Sequence, residues 1–149
     1  MTAPPSTPTP KAKRTDADII ARLIPRADIT FATNRSTEDR IDCYDITSQS
    51  DRATSHRASF THHTRAYWCD CRGFAEYHYC RHTDSLAYYA HLDRARTCYR
   101  HWDTARLVEE DAQLRGVIAD MGSLGWPGMA ELDALGDELA ARMGEGVAA

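Results

Sequence analysis

Fifteen residues, Trp68 to His82 (W-C-D-C-R-G-F-A-E-Y-H-Y-C-R-H), constrain this chain more than any other stretch. They carry Cys69, Cys71, Cys80 and His82 in the spacing C-x-C-x8-C-x-H. Three thiolates and an imidazole form a complete tetrahedral set for Zn²⁺, and a closed set of this kind leaves no position for a catalytic water. In an extended segment, residues i and i+2 point the same way. The spacing therefore places Cys69 and Cys71 at the end of a strand. Two residues apart inside a helix diverge by about 200°. Cys80 is thus expected in a turn and His82 in the first helical turn, with Thr83 or Asp84 as the cap. Gly73 is expected to let the connecting loop fold back. His78 is a competing ligand within the loop, but His82 fits the spacing better.

Cys69, Cys71, Cys80 and His82, with Phe74 shortly after the second cysteine, resemble the SWIM-type zinc finger, whose signature is C-x-C, a variable spacer, then C-x-H. Arg72 stands where a Pro often follows the second cysteine. The resemblance covers roughly residues 40–95. It implies a short antiparallel β unit feeding the first cysteine pair, a helix opening at C-x-H, and one structural Zn²⁺. Such fingers accompany transposases, chromatin-remodelling ATPases and recombination regulators. The resemblance therefore implies nucleic-acid binding or protein–protein contact in a DNA transaction.

The remainder reads as an α+β chain: a small antiparallel β-sheet, the finger as a ββα unit, and an α-helical hairpin. Residues 1–14, rich in Pro, are expected to be disordered. Residues 15–103 form the zinc-binding α+β domain, and 104–149 an acidic helical hairpin with a frayed tail. Thr15 opens a short helix that Pro25 ends. Residues 27–67 alternate as strands, giving a three- or four-stranded meander with Phe60 and Trp68 as core anchors. From Thr83 to about His101 the chain is helical, and His91, Cys98 and His101 share a face read as packing. Leu107, Val108, Leu114, Val117, Ile118 and Met121, then Met129, Leu132, Leu135, Leu139 and Met143, supply the stripes of the hairpin. These stripes either close on the zinc domain or offer a surface to a protein partner or a second copy.

Net charge is −4, but residues 1–103 carry +2 and residues 104–149 carry −6. The basic half holds the candidate nucleic-acid contacts: Arg72 and Arg81, each following a cysteine, and Arg94, Arg96 and Arg100, interleaved with aromatic residues. DNA or RNA is the expected ligand; the acidic hairpin supplies the alternative, a structural adaptor. Arg72 and Arg81 read equally as partners of the thiolates or as solvated charges. Five cysteines, no apolar leader and no membrane-length apolar run suggest a reducing, cytoplasmic setting. His56, His62, His63 and Cys43 match no zinc spacing. No Gly-rich phosphate loop, nucleophile elbow or H-E-x-x-H site is present, so no catalytic residues are expected and an enzyme is not.

Overall fold

The computed structural model describes residues 14–34 and 40–147. Apart from Arg14, the Pro-rich segment lies outside the described residues, as does part of the turn after the first strand. In chain order the elements are α1 (Asp16–Ala21), a 3-10 turn (Arg26–Asp28), β1 (Ile29–Asn34), β2 (Ile41–Thr47), β3 (Ser55–Thr61), β4 (Ala66–Cys69), α2 (Arg72–Tyr77), α3 (Arg81–Tyr99), α4 (Thr104–Met121) and α5 (Gly125–Val147). The fold is α+β, with a four-stranded antiparallel meander in the order β1-β2-β3-β4.

Register decides what the sheet delivers. Tyr44 on β2 faces Ala58 on β3, and Ala58 faces Cys69 on β4. Directly opposed residues share a face, so one rung carries Cys69 to the side where Ile46 and Ala58 are buried. Ile46 opposes His56, which reaches the same side. The alternation then turns Trp68 outward. It is 50% exposed, not the core anchor expected, and Tyr67 packs inward in its place. Phe60 is half-buried against the Tyr67 ring, with centroids 4.7 Å apart.

Two apolar clusters share α3. On the sheet side, Ile24, Ile46, Ala58 and Leu86 pack with Cys69, Cys71 and Cys80. On the other side, Tyr88, Leu92, Ala95 and Tyr99 of α3 pack with Leu107 of α4 and Ala130, Ala134 and Leu135 of α5. The buried face of α3 is therefore formed by Tyr88, Leu92, Ala95 and Tyr99. Cys98 and His101 are exposed, contrary to the packing face expected of them.

Ile24 fastens the end of the α1 segment to α3. Its N–H donates to Ser85 Oγ at 2.8 Å, and its carbonyl accepts from Tyr89 Oη at 2.8 Å. Ser85 is fully buried and donates to the Arg81 carbonyl at 2.6 Å. Ser85→Ala strands a buried amide, and the expected loss in chemical denaturation is about 1–3 kcal/mol. A change below the error of the measurement would mean that water replaces the hydroxyl.

The hairpin closes on the rest of the chain. Asp103 caps α4, and Gly122 ends it in the left-handed region (φ 75°). Of the α4 stripe, Leu107 is buried and Leu114 partly so, while Val108, Val117 and Met121 are exposed. Asp16 Oδ2 accepts from Gly125 N at 3.0 Å and from Ser123 Oγ, tying the start of α5 to α1. Tyr88 Oη donates to Asp133, and Arg96 pairs with Asp137 at 2.6 Å. Acids expected on the outer face of the hairpin thus meet donors of α3. The helix continues past Gly144 to Val147, where a frayed tail was expected.

Burial is the leading cause that raises the phenol pKa of Tyr44, Tyr67, Tyr88, Tyr89 and Tyr99, the last to about 12; the bond to Asp133 adds to it at Tyr88. Unfolded phenols ionise near pH 10, so the fold holds these protons to higher pH. Their contribution is intact below about pH 10 and is lost as pH rises through the folded values. Stability should fall in alkali, with late tyrosinate absorbance rising together with loss of helical circular dichroism. Tyrosinate appearing well before unfolding would contradict this.

Candidate metal centre

Each ligand of the Cys/His set sits where an element starts or stops. Cys69 ends β4. Cys71 is the N-cap of α2, and its sulfur accepts from Phe74 N at 3.4 Å. Cys80 is the N-cap of α3, and its sulfur accepts from Thr83 N at 3.5 Å. Thr83 Oγ1 returns a bond from Cys80 N at 3.2 Å, completing a capping box. The helix thus opens one turn earlier than a Thr83 or Asp84 cap would place it. Cys rarely caps helices as a neutral thiol, whereas a thiolate is a strong acceptor at the positive end of a helix.

Between the two cysteine pairs the chain forms α2, not the loop expected around Gly73. The reversal occurs at His78, which ends α2 in the left-handed region (φ 59°). His78 is exposed and its ring lies 6.3 Å from Phe74, away from the ligand set.

The donor atoms of Cys69, Cys71, Cys80 and His82 all lie within 4.8 Å of one another, and the four residues are buried. Cys69 Sγ is 3.6 Å from His82 Nδ1. Tetrahedral bonds of about 2.0 Å to nitrogen and 2.3 Å to sulfur require ligand separations of about 3.5–3.8 Å. The Cys69–His82 pair already stands at this separation, and a small inward shift of the others would let the set hold one metal ion. All three cysteines are free of disulfides. Among the described residues this is the one group of its kind.

The thiols are not equivalent. A hydrogen bond from Cys69, supported by His82 and Thr83, lowers the Cys80 pKa to about 3. The same shared proton, with burial, pushes Cys69 far up. Burial also raises Cys71, against the pull of the Phe74 amide. Three crowded, buried sulfurs carry three negative charges only with a cation among them, so metal uptake displaces protons.

His56 is the neighbour that sequence spacing missed. Its ring lies 4.6 Å from that of His82, and its Nδ1 is 3.4 Å from Asp70. Only the strand register, which places His56 opposite Ile46, reveals it. His62 pairs with Asp42 at 2.6 Å, His63 is exposed, and Cys43 is buried in β2, so these three do not gather into a second centre.

The candidate arginines are spread out. Arg72 is 91% exposed and pairs with Glu76 at 2.8 Å. Arg81 opens α3 beside the metal ligands. Arg94 and Arg100 are exposed farther along the helix, and Arg96 is engaged by Asp137. At 1.5 Å per residue, Arg94 lies about 20 Å and Arg100 about 28 Å along α3 from Arg81. The first two arginines therefore belong to the metal end, and the other three to the opposite half of the helix. No helix among the described residues is long and apolar enough to cross a membrane.

No family model, curated protein or solved structure matches this chain.

Proposed function

We propose that the chain is a SWIM-type zinc module that binds nucleic acid, DNA in the first instance, as part of a DNA transaction. The observation that carries the reading is the buried Cys69-Cys71-Cys80-His82 group, set between the end of a strand and the start of a helix. Three sulfurs and one nitrogen in tetrahedral reach suit Zn²⁺ before harder ions. Four protein ligands would saturate the ion and leave it no open position, which supports a structural role for it. Exposed Arg72, Arg94 and Arg100 support the nucleic-acid half, because surface guanidinium groups neutralise phosphates and release counterions.

Fluorescence anisotropy of the zinc-loaded chain with labelled single- and double-stranded DNA and RNA tests this. Log affinity should fall linearly with log salt, and replacing Arg72, Arg94 and Arg100 by Ala should reduce the slope by up to about three. Absence of binding at low salt would reject nucleic acid as the ligand.

A second reading, an adaptor, is favoured by Met121 and Met143, which stand 78% and 72% exposed on the hairpin. It predicts a protein partner or second copy on α4 and α5, and loss of that association when both methionines become Ser.

A further inference from the structure

A cavity of about 650 Å³ opens beside the metal centre, with Cys71, Cys80 and His82 in its wall. This volume lies within the range of about 300–1,000 Å³ usual for small-ligand sites. Four arginines line it: Arg14 before α1, Arg22 after α1, Arg72 at the start of α2 and Arg81 at the start of α3. They come from separate segments, so their convergence is a product of the fold.

Two acids, Asp18 and Asp84, line the same space. Asp84 is held by Arg14 at 2.7 Å. The Asp18 carboxylate accepts from the Thr15 hydroxyl and amide at 2.7 and 3.0 Å. Arg72 reaches Glu76 from a largely exposed position. Arg81 is the least exposed of the four arginines, and its Nε is buried with no hydrogen-bond partner among the described residues. That nitrogen is closed to solvent, so an anionic ligand in the cavity would meet Arg81 through its other guanidinium nitrogens, which suit an anionic oxygen.

The lining is also aromatic. Tyr77 and Tyr79 are 43% and 39% exposed, their rings 5.9 Å apart and 31° from parallel. The Arg14 guanidinium lies over Tyr79 at 3.8 Å. Guanidinium groups and flat rings lining one cavity match a ligand with an anionic end and a planar end.

We propose that this cavity binds a nucleoside 5′-monophosphate, with its phosphate among Arg22, Arg72 and Arg81 and its base against Tyr77 and Tyr79. The proposal deepens the nucleic-acid reading and rests on it. The unit is either a free nucleotide or the phosphorylated 5′ end of a strand. A duplex interior does not enter a concavity of this size.

Calorimetric titration of the zinc-loaded full chain tests the proposal, with AMP, adenosine, inorganic phosphate, and a tetranucleotide with and without its 5′-phosphate. AMP should bind at least about tenfold more tightly than adenosine or phosphate, and Arg22→Ala with Arg72→Ala should weaken it at least about tenfold. Both arginines are exposed, so zinc content and circular dichroism should be unchanged in the variant. AMP should also protect arginines from phenylglyoxal. Tighter binding of the 5′-phosphorylated tetranucleotide than of AMP would support a strand end, and the reverse a free nucleotide. Failure of AMP and the 5′-phosphorylated strand to bind, equal affinity for adenosine, or an unchanged affinity in the double variant would overturn the proposal. Longer strands that still bind the double variant with wild-type affinity would show that the nucleic-acid reading survives without this pocket.

Discussion

Stripping the metal is expected to melt the segment between Cys69 and His82 and to release one ion per chain. The effect should be large, because apparent zinc affinities in finger peptides correspond to about 10–16 kcal/mol near neutral pH. The local structure explains the dependence. Helix α2 has six residues, none of them buried. Isolated helices shorter than about 12–15 residues are marginal in water. What can hold α2 is an ion gripped by Cys71 at its start and Cys80 three residues past its end, whose sulfurs gather with the donor atoms of Cys69 and His82. Cys80→Ser and His82→Ala should each abolish stoichiometric metal, whereas Cys43→Ser and Cys98→Ser should keep it. Elemental analysis gives the stoichiometry, and hydrogen exchange locates the melting. Protection should vanish first in α2 and at the start of α3, while the second half of α3 and α5 remain protected by their own apolar cluster. Full metal content and native exchange in both ligand variants would refute a structural metal centre.

Much of this centre was legible because ligand spacing and backbone period are both local. The i, i+2 pairing put Cys69 and Cys71 at a strand end, and the C-x-H pair at the start of a helix. The four strands were likewise legible from alternation and turn residues. The sequence did not show which side of β4 faces inward. Cys69 faces the buried side, where it gathers with Cys71, Cys80 and His82, and this turns the larger Trp68 to solvent. Nor did it show that Cys71 and Cys80 are helix caps. Cysteine has no capping reputation as a thiol, and its acceptor strength emerges from the charge that the site imposes. The four arginines of the cavity were beyond reach for another reason. Arg14 and Arg22 precede the sheet and Arg72 and Arg81 follow it, so only the tertiary fold brings them together. The charge asymmetry had a tertiary explanation as well, since Asp133 and Asp137 of the acidic half meet Tyr88 and Arg96 across the α3–α5 contact.

That contact yields the second large effect. Leu135 is fully buried, in one cluster with Tyr88, Leu92 and Ala95 of α3 and Leu107 of α4. Leu135→Ala removes apolar area and leaves a cavity that close-packed helices fill poorly, at an expected cost of about 2–5 kcal/mol. For a chain of this size that is a fall in Tm of roughly 5–20 °C. Val108→Ala and Met143→Ala are the controls, 54% and 72% exposed, with expected changes within about 0.5 kcal/mol. If the α5 stripe were instead a docking surface standing free of α3, Leu135→Ala would resemble the controls, and a loss under about 1 kcal/mol would exclude the packing described. The metal content of the same variant tests whether the two clusters act as one. Leu86 belongs to the cluster of the candidate metal ligands and Tyr88 to that of Leu135, only two positions apart on one helix. Strain relieved around Tyr88 can therefore reach Leu86 through α3 itself. If Leu135→Ala lowers Tm but leaves zinc affinity unchanged, α3 is a shared wall between independent cores. If both fall, α3 couples the occupancy of the metal centre to the seating of α5.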